Sequence, residues 1–423
     1  MIASASTRPA TSNVRWTICA LLFFATTINY VDRQVLSLLA KDLQTSIGWT
    51  DNQYADITSA FVAAYAVGLL GVGKVLDKYG TRLGFSIAIT VWSLAAIGHA
   101  AARSALAFGI ARASLGLGES ANFPASIQTV AKWFPKKERA NATGIFNSGT
   151  NIGAIVAPLT VPWLAATYGW QSAFIVTGAL GFIWLIFWLV LYRSPEEHPG
   201  VSAHELGYIQ SDPPDKLPSY PWLRLFPHKE TWAFGAGKFL TDGVWWFYLF
   251  WFPKYMQETF GLTLMQIAVP TIIVYSASSV GSIFGGWLSG SLIDRGWSLN
   301  AARKTAMLSC ALAVMPVVLA PQMNNMWAVV ALVSIATAAH QGWSANLFTL
   351  TSDMFPRAAV ASVVGIGGMC GALGGVLVQK ITGWVVTLTH SYFIMFIVAG
   401  TAYLLALALI HLLTPKLEPA KVD

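Results

Sequence analysis

Charge is the commodity this sequence has least of. Only 11% of its 423 residues are Asp, Glu, Lys or Arg, against about 25% in a soluble domain. With 55% hydrophobic residues and a mean hydropathy of +0.57, that shortage excludes a large globule built to face water. Cysteine is scarce too. Cys19, Cys310 and Cys370 each fall inside an apolar run, so no disulfide framework is implied. No G-x-x-x-x-G-K-[ST] loop or other nucleotide site is visible. No motif calls for a cofactor or a metal. The opening stretch "MIASASTRPATSNVRW" is polar, and no small-residue cleavage site follows a short apolar region. The first apolar run therefore reads as a retained span rather than a signal peptide.

What the sequence does have is apolar runs of about 20 residues, the length that crosses a bilayer as a helix. Charge, Pro and Gly clusters divide them into twelve expected spans. The first six fall near 15–39, 53–75, 81–102, 104–127, 140–163 and 169–193. The last six fall near 232–258, 267–293, 303–322, 325–350, 358–381 and 389–413. The polar stretch 194–231, with "SPEEHPG" and "SDPPDKLPSYP", is the one long linker, and its prolines argue against a continuous helix. The expected organisation is an all-α polytopic membrane protein. A six-helix bundle over 1–193 and a second over 232–423 flank a linker over 194–231.

The 26 Lys and Arg residues divide unevenly. Nineteen lie in loops on the side of the N-terminus, four in the opposite loops (Lys41, Arg103, Lys254 and Lys380) and three within spans. The positive-inside rule then puts both termini and the linker in the cytoplasm. The net charge of +7 is a topology signal, and no nucleic-acid partner is expected. The lipid bilayer is the partner of the fold itself.

The two halves repeat. Gly73, Asp77 and Lys78 align with Gly290, Asp294 and Arg295 at an offset of 217. Phe134, Pro135, Gly144 and Gly153 align with Phe355, Pro356, Gly365 and Gly374 at an offset of 221. Parallel six-helix repeats joined by a linker suit a transporter that rocks one half against the other. The loop "GKVLDKYGTRLG", of form G-x-x-x-D-[RK]-x-G-x-[RK], resembles the signature of the major facilitator superfamily. It reads as a conformational latch carried by Gly73, Asp77, Lys78, Gly80 and Arg82, with Asp294 and Arg295 as the second copy. Asp77 suits a helix N-terminus of the other half, and Gly73 and Gly80 are expected to allow close backbone approach. The second copy, "DRGWSL", lacks the following Gly-x-Arg.

A charge at mid-bilayer costs roughly 2.5–3.5 kcal/mol on insertion scales, and residues that bear it usually face a cavity. Six such residues stand out: Asp32 and Arg33 on span one, Arg112 and Glu119 on span four, Lys238 and Asp242 on span seven. Arg112 and Glu119, seven apart, share a helix face. Asp32 and Arg33 diverge by about 100°, which suggests that Asp32 pairs with Arg112 and leaves Arg33 for a ligand. Lys238 and Asp242 form an i, i+4 pair that neutralises itself. The first-half cluster sums to zero, so an entering anion is balanced only if Asp32 or Glu119 takes up a proton.

Tyr65, the "WWFYLFW" run at 245–251 and Trp343 are candidates to stack on a sugar ring. Asn147, Asn151, His340, Gln341, Ser344 and Asn346 are candidate hydrogen-bonding groups, with helix packing as the plainer alternative. His340 falls opposite Glu119 at the 221 offset, which makes it either part of a proton path or a structural histidine.

"NYVDR" (29–33), "AFVAAYAVG" (60–68), "ARASLGLGESANFPA" (111–125), "WFPKKERA" (133–140) and "KFLTDGVWWFYLFWFPKYM" (238–256) together resemble the anion:cation symporter branch of that superfamily. The last stretch is most similar to bacterial hexuronate transporters. The resemblance implies that Arg33 binds a substrate carboxylate. It implies that Asp32 and Glu119 couple protons with Arg112 as their switching partner, and that Tyr65, Trp343, Ser344 and Asn346 contact the sugar acid. Asn151, Lys238 and Gln341 complete the expected substrate set. The expectation is a monomeric, proton-coupled importer of galacturonate or glucuronate in a bacterial inner membrane, and not an enzyme. The alternatives are an aldonate such as galactonate or gluconate as substrate, a non-transporting sensor on the same scaffold, and a drug-exporting proton antiporter.

Overall fold

The structure, a computed structural model, describes residues 12–211 and 222–420. The side chains of Asp77, Lys136, Ala140, Arg357, Ala358 and Ala361 lie outside the described set, as does the proline-rich part of the linker, 212–221. The described residues are helical throughout, with no strand among them.

The helices follow the twelve expected spans. In the first half they are α1 (Val14–Leu38), a short α2 (Ala40–Ile47), α3 (Asp51–Gly98), α4 (Ala105–Glu119), α5 (Asn122–Trp133), α6 (Lys136–Tyr168) and α7 (Trp170–Leu191). The linker contributes α8 (Ala203–Ile209). The second half holds α9 (Lys229–Phe260), α10 (Ala268–Asp294), α11 (Leu299–Val314), α12 (Met326–Met354), α13 (Arg357–Thr389) and α14 (Phe393–Leu413). Nine segments among the described residues are long and apolar enough to cross a membrane. The expected spans that fall short are α4 with α5, α9 and α12. These carry Arg112 and Glu119, Lys238 and Asp242, and His340 and Gln341. Asp32 and Arg33 lie on α1, which is long and apolar enough, while span four falls short because it is divided into two short helices.

Local sequence explains the breaks. α3 holds two spans and turns between them at Gly80, whose φ of 75° and ψ of 163° suit glycine alone. Span four divides after Glu119. Pro124 lacks an N–H and would press its ring on the Ser120 carbonyl, so the chain restarts as α5 at Asn122. Span nine ends in a 3-10 segment, Met315–Gln322, which contains Pro316 and Pro321. The repeat appears in the helix ends. Pro135 and Pro356 stand at the N-caps of α6 and α13 with φ/ψ of −64°/154° and −62°/150°. Phe134 and Phe355 close the preceding helices through their N–H groups, to the Val130 and Thr351 carbonyls.

Glycines set the tightest helix contacts, but not where the latch motif suggested. A Cβ at Gly73 or Gly80 would meet open space, so Gly80 is required by its backbone angle and Gly73 by no close approach. A Cβ at Gly153 would stand 2.5 Å from the Thr27 carbonyl oxygen of α1, and one at its repeat partner Gly374 would collide with the Phe239 carbonyl of α9. The matched glycines thus seat α6 on α1 and α13 on α9.

The linker is clamped to the first bundle. Ser202 caps α8 by accepting from the Glu205 N–H. The Glu205 carboxylate then accepts from the Ser12 hydroxyl at 2.5 Å, from the Val14 and Arg15 N–H groups at 3.2 Å, and from the Arg15 guanidinium at 3.0 Å. Arg15 also pairs with Glu138 of α6 at 3.1 Å, whose other oxygen accepts from Tyr208 at 2.8 Å. Burial alone would raise the Glu205 carboxyl. The bonds from Ser12 and Arg15 outweigh it and hold the pKa below its ordinary value.

At the opposite end of the bundle the halves are closed on each other. Lys254 of α9, fully buried, pairs with Asp51 of α3 and, at 2.8 Å, with Glu258 of its own helix. Tyr392 donates to the second Glu258 oxygen at 2.7 Å. Lys41 donates to the Gln257 carbonyl at 3.0 Å, Tyr54 to the Phe250 carbonyl at 2.6 Å and Thr58 to Gln379 at 3.0 Å, and Lys380 pairs with Asp56. These contacts join the two halves on this side of the bundle.

Candidate functional site

The six intramembrane charges fall into two groups. In the first, α1 and α4 face each other about halfway through the bundle. A Cβ at Gly116 would stand 2.4 Å from the Phe61 carbonyl oxygen, so α4 packs closely on α3 and presents Arg112 and Glu119 inward. Arg33 pairs with Glu119. Its Nε and Nη2 lie 2.9 and 2.8 Å from the same oxygen, Oε2, and Nη2 also donates to Asn29 at 3.2 Å. Arg112 donates through Nη2 to the Arg33 carbonyl at 2.8 Å.

This arrangement corrects the pairing expected from sequence. Arg33 is not free, and Asp32 does not bond Arg112. Both Asp32 oxygens are buried without a hydrogen-bond partner, as are Nε and Nη1 of Arg112 and Oε1 of Glu119. The polar groups near Asp32 are the Thr177 hydroxyl, Glu119 and Arg112. Two cations and two carboxylates thus share a buried volume, with several of their polar atoms lacking a protein partner. Each of the four residues is 5% exposed or less.

Aromatic rings surround the Arg33 guanidinium. Its carbon lies 4.7 Å from the Tyr30 ring centre, 5.1 Å from Tyr65, 5.2 Å from Phe61 and 5.6 Å from Trp246. Trp246 belongs to α9, so the cage is built from both halves. Such cation–π contacts hold a guanidinium while leaving its N–H groups available.

Next to the cage lies a cavity of about 50 Å³ lined by Tyr30, Gln34, Asn151, Trp245, Tyr275 and Gln341, among others. Its walls come from α1, α6, α9, α10 and α12. The Gln34 amide nitrogen and the Tyr275 hydroxyl are buried without partners, so the cavity offers unused hydrogen-bonding groups. Asn151 and Gln341 were expected from sequence. Gln34 was readable as the polar neighbour of Arg33 in "DRQV"; no sequence signal singled out Tyr275.

Several expected residues are placed elsewhere. Trp343, with no exposure, packs edge-on against Tyr403 at 5.5 Å. Asn346 donates to the Gly285 carbonyl at 2.8 Å and the Gly342 carbonyl at 2.9 Å, tying α12 to α10. His340 shares a 2.6 Å hydrogen bond with Tyr403 through Nδ1 and stacks on Trp245 at 5.1 Å. Ser344 is half-buried and Asn147 exposed, both outside the cavity lining.

Lys238 pairs with Asp242 at 2.6 Å, as their spacing suggested. Of the latch residues, Arg82 donates to the Leu189 carbonyl of α7 at 2.5 Å. Lys78 lies 5.2 Å over Tyr79, and Asp294 and Arg295 are exposed at the end of α10. The Asp77 side chain lies outside the described residues. Among the described residues no group of His, Cys, Asp and Glu could hold a metal ion.

The Major Facilitator Superfamily profile matches residues 22–379. The chain belongs to that superfamily. It is 31% identical over 380 residues to the hexuronate transporter of Escherichia coli K12, covering 88% of this chain and 87% of the relative. It is 30% identical over 385 residues to the D-galactonate transporter of Escherichia coli O6:H1, covering 88% and 89%. The fold resembles that of a bacterial homologue of the human lysosomal transporter Spinster in an inward-facing, occupied conformation. The TM-score is 0.79 at 17% identity, over 96% of this chain and 98% of that one. Membership in the superfamily makes the chain a multi-pass membrane transporter rather than an enzyme, as the sequence resemblance implied.

Proposed function

We propose that the chain imports a hexuronate, galacturonate or glucuronate, together with protons across a bacterial inner membrane. Both termini and the linker face the cytoplasm, and bundles 1–193 and 232–423 alternate around the site. The observation that carries this reading is the buried quartet of Asp32, Arg33, Arg112 and Glu119, electrically neutral and with Arg33 caged by aromatic rings from both halves.

Arg33 is the anchor for the substrate carboxylate. A carboxylate arriving at Arg33 competes with Glu119 for the same N–H groups. If Glu119 keeps its charge, the quartet becomes net negative in a low-dielectric volume, which is unfavourable. Protonation of Glu119 removes the competitor and restores neutrality in one step. Asp32, whose oxygens have no hydrogen-bond partner, is a second acceptor, and Arg112 stabilises whichever carboxylate remains charged. Tyr65 stacks on the sugar, while Asn151, Gln34, Tyr275 and Gln341 bind its hydroxyls.

At about 50 Å³ the cavity holds a water molecule or two. A six-carbon acid enters with outward movement of the aromatic side chains. The closed end built around Lys254 corresponds to the periplasmic face, so this conformation faces inward.

Purified protein in proteoliposomes, acidic outside, tests the reading. Labelled galacturonate or glucuronate accumulates and is lost when an uncoupler collapses the proton gradient. Accumulation that follows sodium instead rejects the coupling ion. The 30% identity to the D-galactonate transporter favours one alternative substrate, so galactonate belongs in the same panel.

A further inference from the structure

The second charge pair lies beyond the cavity. Lys238 Nζ and Asp242 Oδ2 are 2.6 Å apart on α9, with side chains 10% and 20% exposed. Asp242 is one helical turn from Trp246, the ring that faces Arg33, about 6 Å of rise along the axis. Lys238 is two turns from Trp245, and its ammonium sits 4.7 Å over Phe348. Phe348 is in turn two turns from Gln341 on α12. Trp245 and Gln341 both line the cavity. The pair therefore continues the same two walls toward the end that carries the termini. The Trp246 ring, one turn along α9 from Asp242, lies 5.6 Å from the Arg33 guanidinium carbon, so a ligand that reaches from Arg33 along α9 meets the pair next. Across it stands Gly371, where a Cβ would collide with the Asp242 carboxylate. Two other titratable groups, His340 and Tyr403, stand near the pair. Each is held by the other, through their 2.6 Å bond.

The charge count along this path decides what fits. The quartet sums to zero, and so does the Lys238–Asp242 pair. One carboxylate at Arg33 is balanced by one proton. A second carboxylate at the other end of the sugar chain would arrive beside Asp242, with Lys238 already neutralised. Like charges placed together in a desolvated site cost several kcal/mol.

We propose that Asp242 is a specificity-determining residue: by neutralising Lys238 it restricts the transporter to sugar acids with a single carboxylate and excludes dicarboxylic sugar acids. The inference rests on the proposed sugar-acid function. Removing the Asp242 charge frees an ammonium where the second carboxylate lands.

The test is proteoliposome uptake of labelled monoacids (galacturonate, glucuronate, galactonate) and diacids (galactarate, glucarate). Wild type is compared with Asp242→Asn and with a double variant, Lys238→Gln with Asp242→Asn. Wild type takes up a monoacid and no diacid. Asp242→Asn gains diacid uptake of at least about tenfold, and the double variant, neutral again, gains none. Wild-type uptake of diacids alongside monoacids overturns the inference, as does an Asp242→Asn protein that accumulates monoacid but gains no diacid; both leave the sugar-acid reading standing. A wild type that takes up no sugar acid overturns that reading and the inference with it. Thermal shift on wild-type protein decides the case if Asp242→Asn does not fold. A monoacid raises Tm and the matching diacid does not, and equal shifts overturn the inference.

Discussion

Arg33 and Glu119 meet at 2.8 Å between α1 and α4, and both guanidinium contacts fall on one carboxylate oxygen. On the proposed function the pair is the exchange point: a substrate carboxylate that replaces Glu119 would meet a guanidinium already buried and faced by four rings.

Arg33→Ala abolishes sugar-acid uptake. It also leaves Glu119 charged without its hydrogen-bonded partner, which costs up to about 3–5 kcal/mol. The double variant Arg33→Ala with Glu119→Gln recovers most of that stability and no transport. Thermal unfolding and uptake measured together separate the two effects.

Glu119→Gln loses accumulation against a gradient but keeps exchange of internal for external substrate. The neutral amide imitates the protonated acid, so the anchor stays open while the coupling proton has nowhere to bind. Counterflow that disappears along with accumulation removes Glu119 from the coupling role.

Asp32→Asn raises Tm while impairing coupled uptake. The carboxylate is buried with no partner for either oxygen, and relieving such a group stabilises by about 1–3 kcal/mol. A variant less stable than wild type shows that Asp32 holds the fold through its charge.

Lys254→Ala opens the closed end. It leaves Asp51 and Glu258 facing each other without the ammonium between them. Thiol labelling of a cysteine placed at Thr58 speeds up in this variant. An unchanged labelling rate places the closure in the remaining contacts.

The linker clamp is pH-dependent. Glu205 has a folded-state pKa below its ordinary value. Its contribution is complete above the ordinary carboxylate range and is lost as the pH falls through the lowered value. Glu205→Gln therefore lowers stability at neutral pH by about 1–3 kcal/mol, and its Tm converges on that of wild type in acid.

The spans and the site helices were legible because a membrane makes both conspicuous. Apolar runs announce helices, and Asp32, Arg33, Arg112 and Glu119 stand out against them. The partners were not legible. Asp32 and Arg33 are neighbours, and which one turns toward α4 depends on how α1 rotates against α6, set by contacts such as Gly153 on Thr27. Trp343 and Asn346 looked like ligand groups because sequence does not separate a polar group aimed at a cavity from one spent on a neighbouring carbonyl. The break after Glu119 was readable from Pro124 but concealed by the apolar run around it.

Lys254 has no exposure while Asp51 and Glu258 hold it, so a water-soluble amine reagent reacts with it only when those ion pairs break. Acylation at Lys254, located by mass spectrometry among the modified lysines, therefore reports a first parting of the bundles at this end.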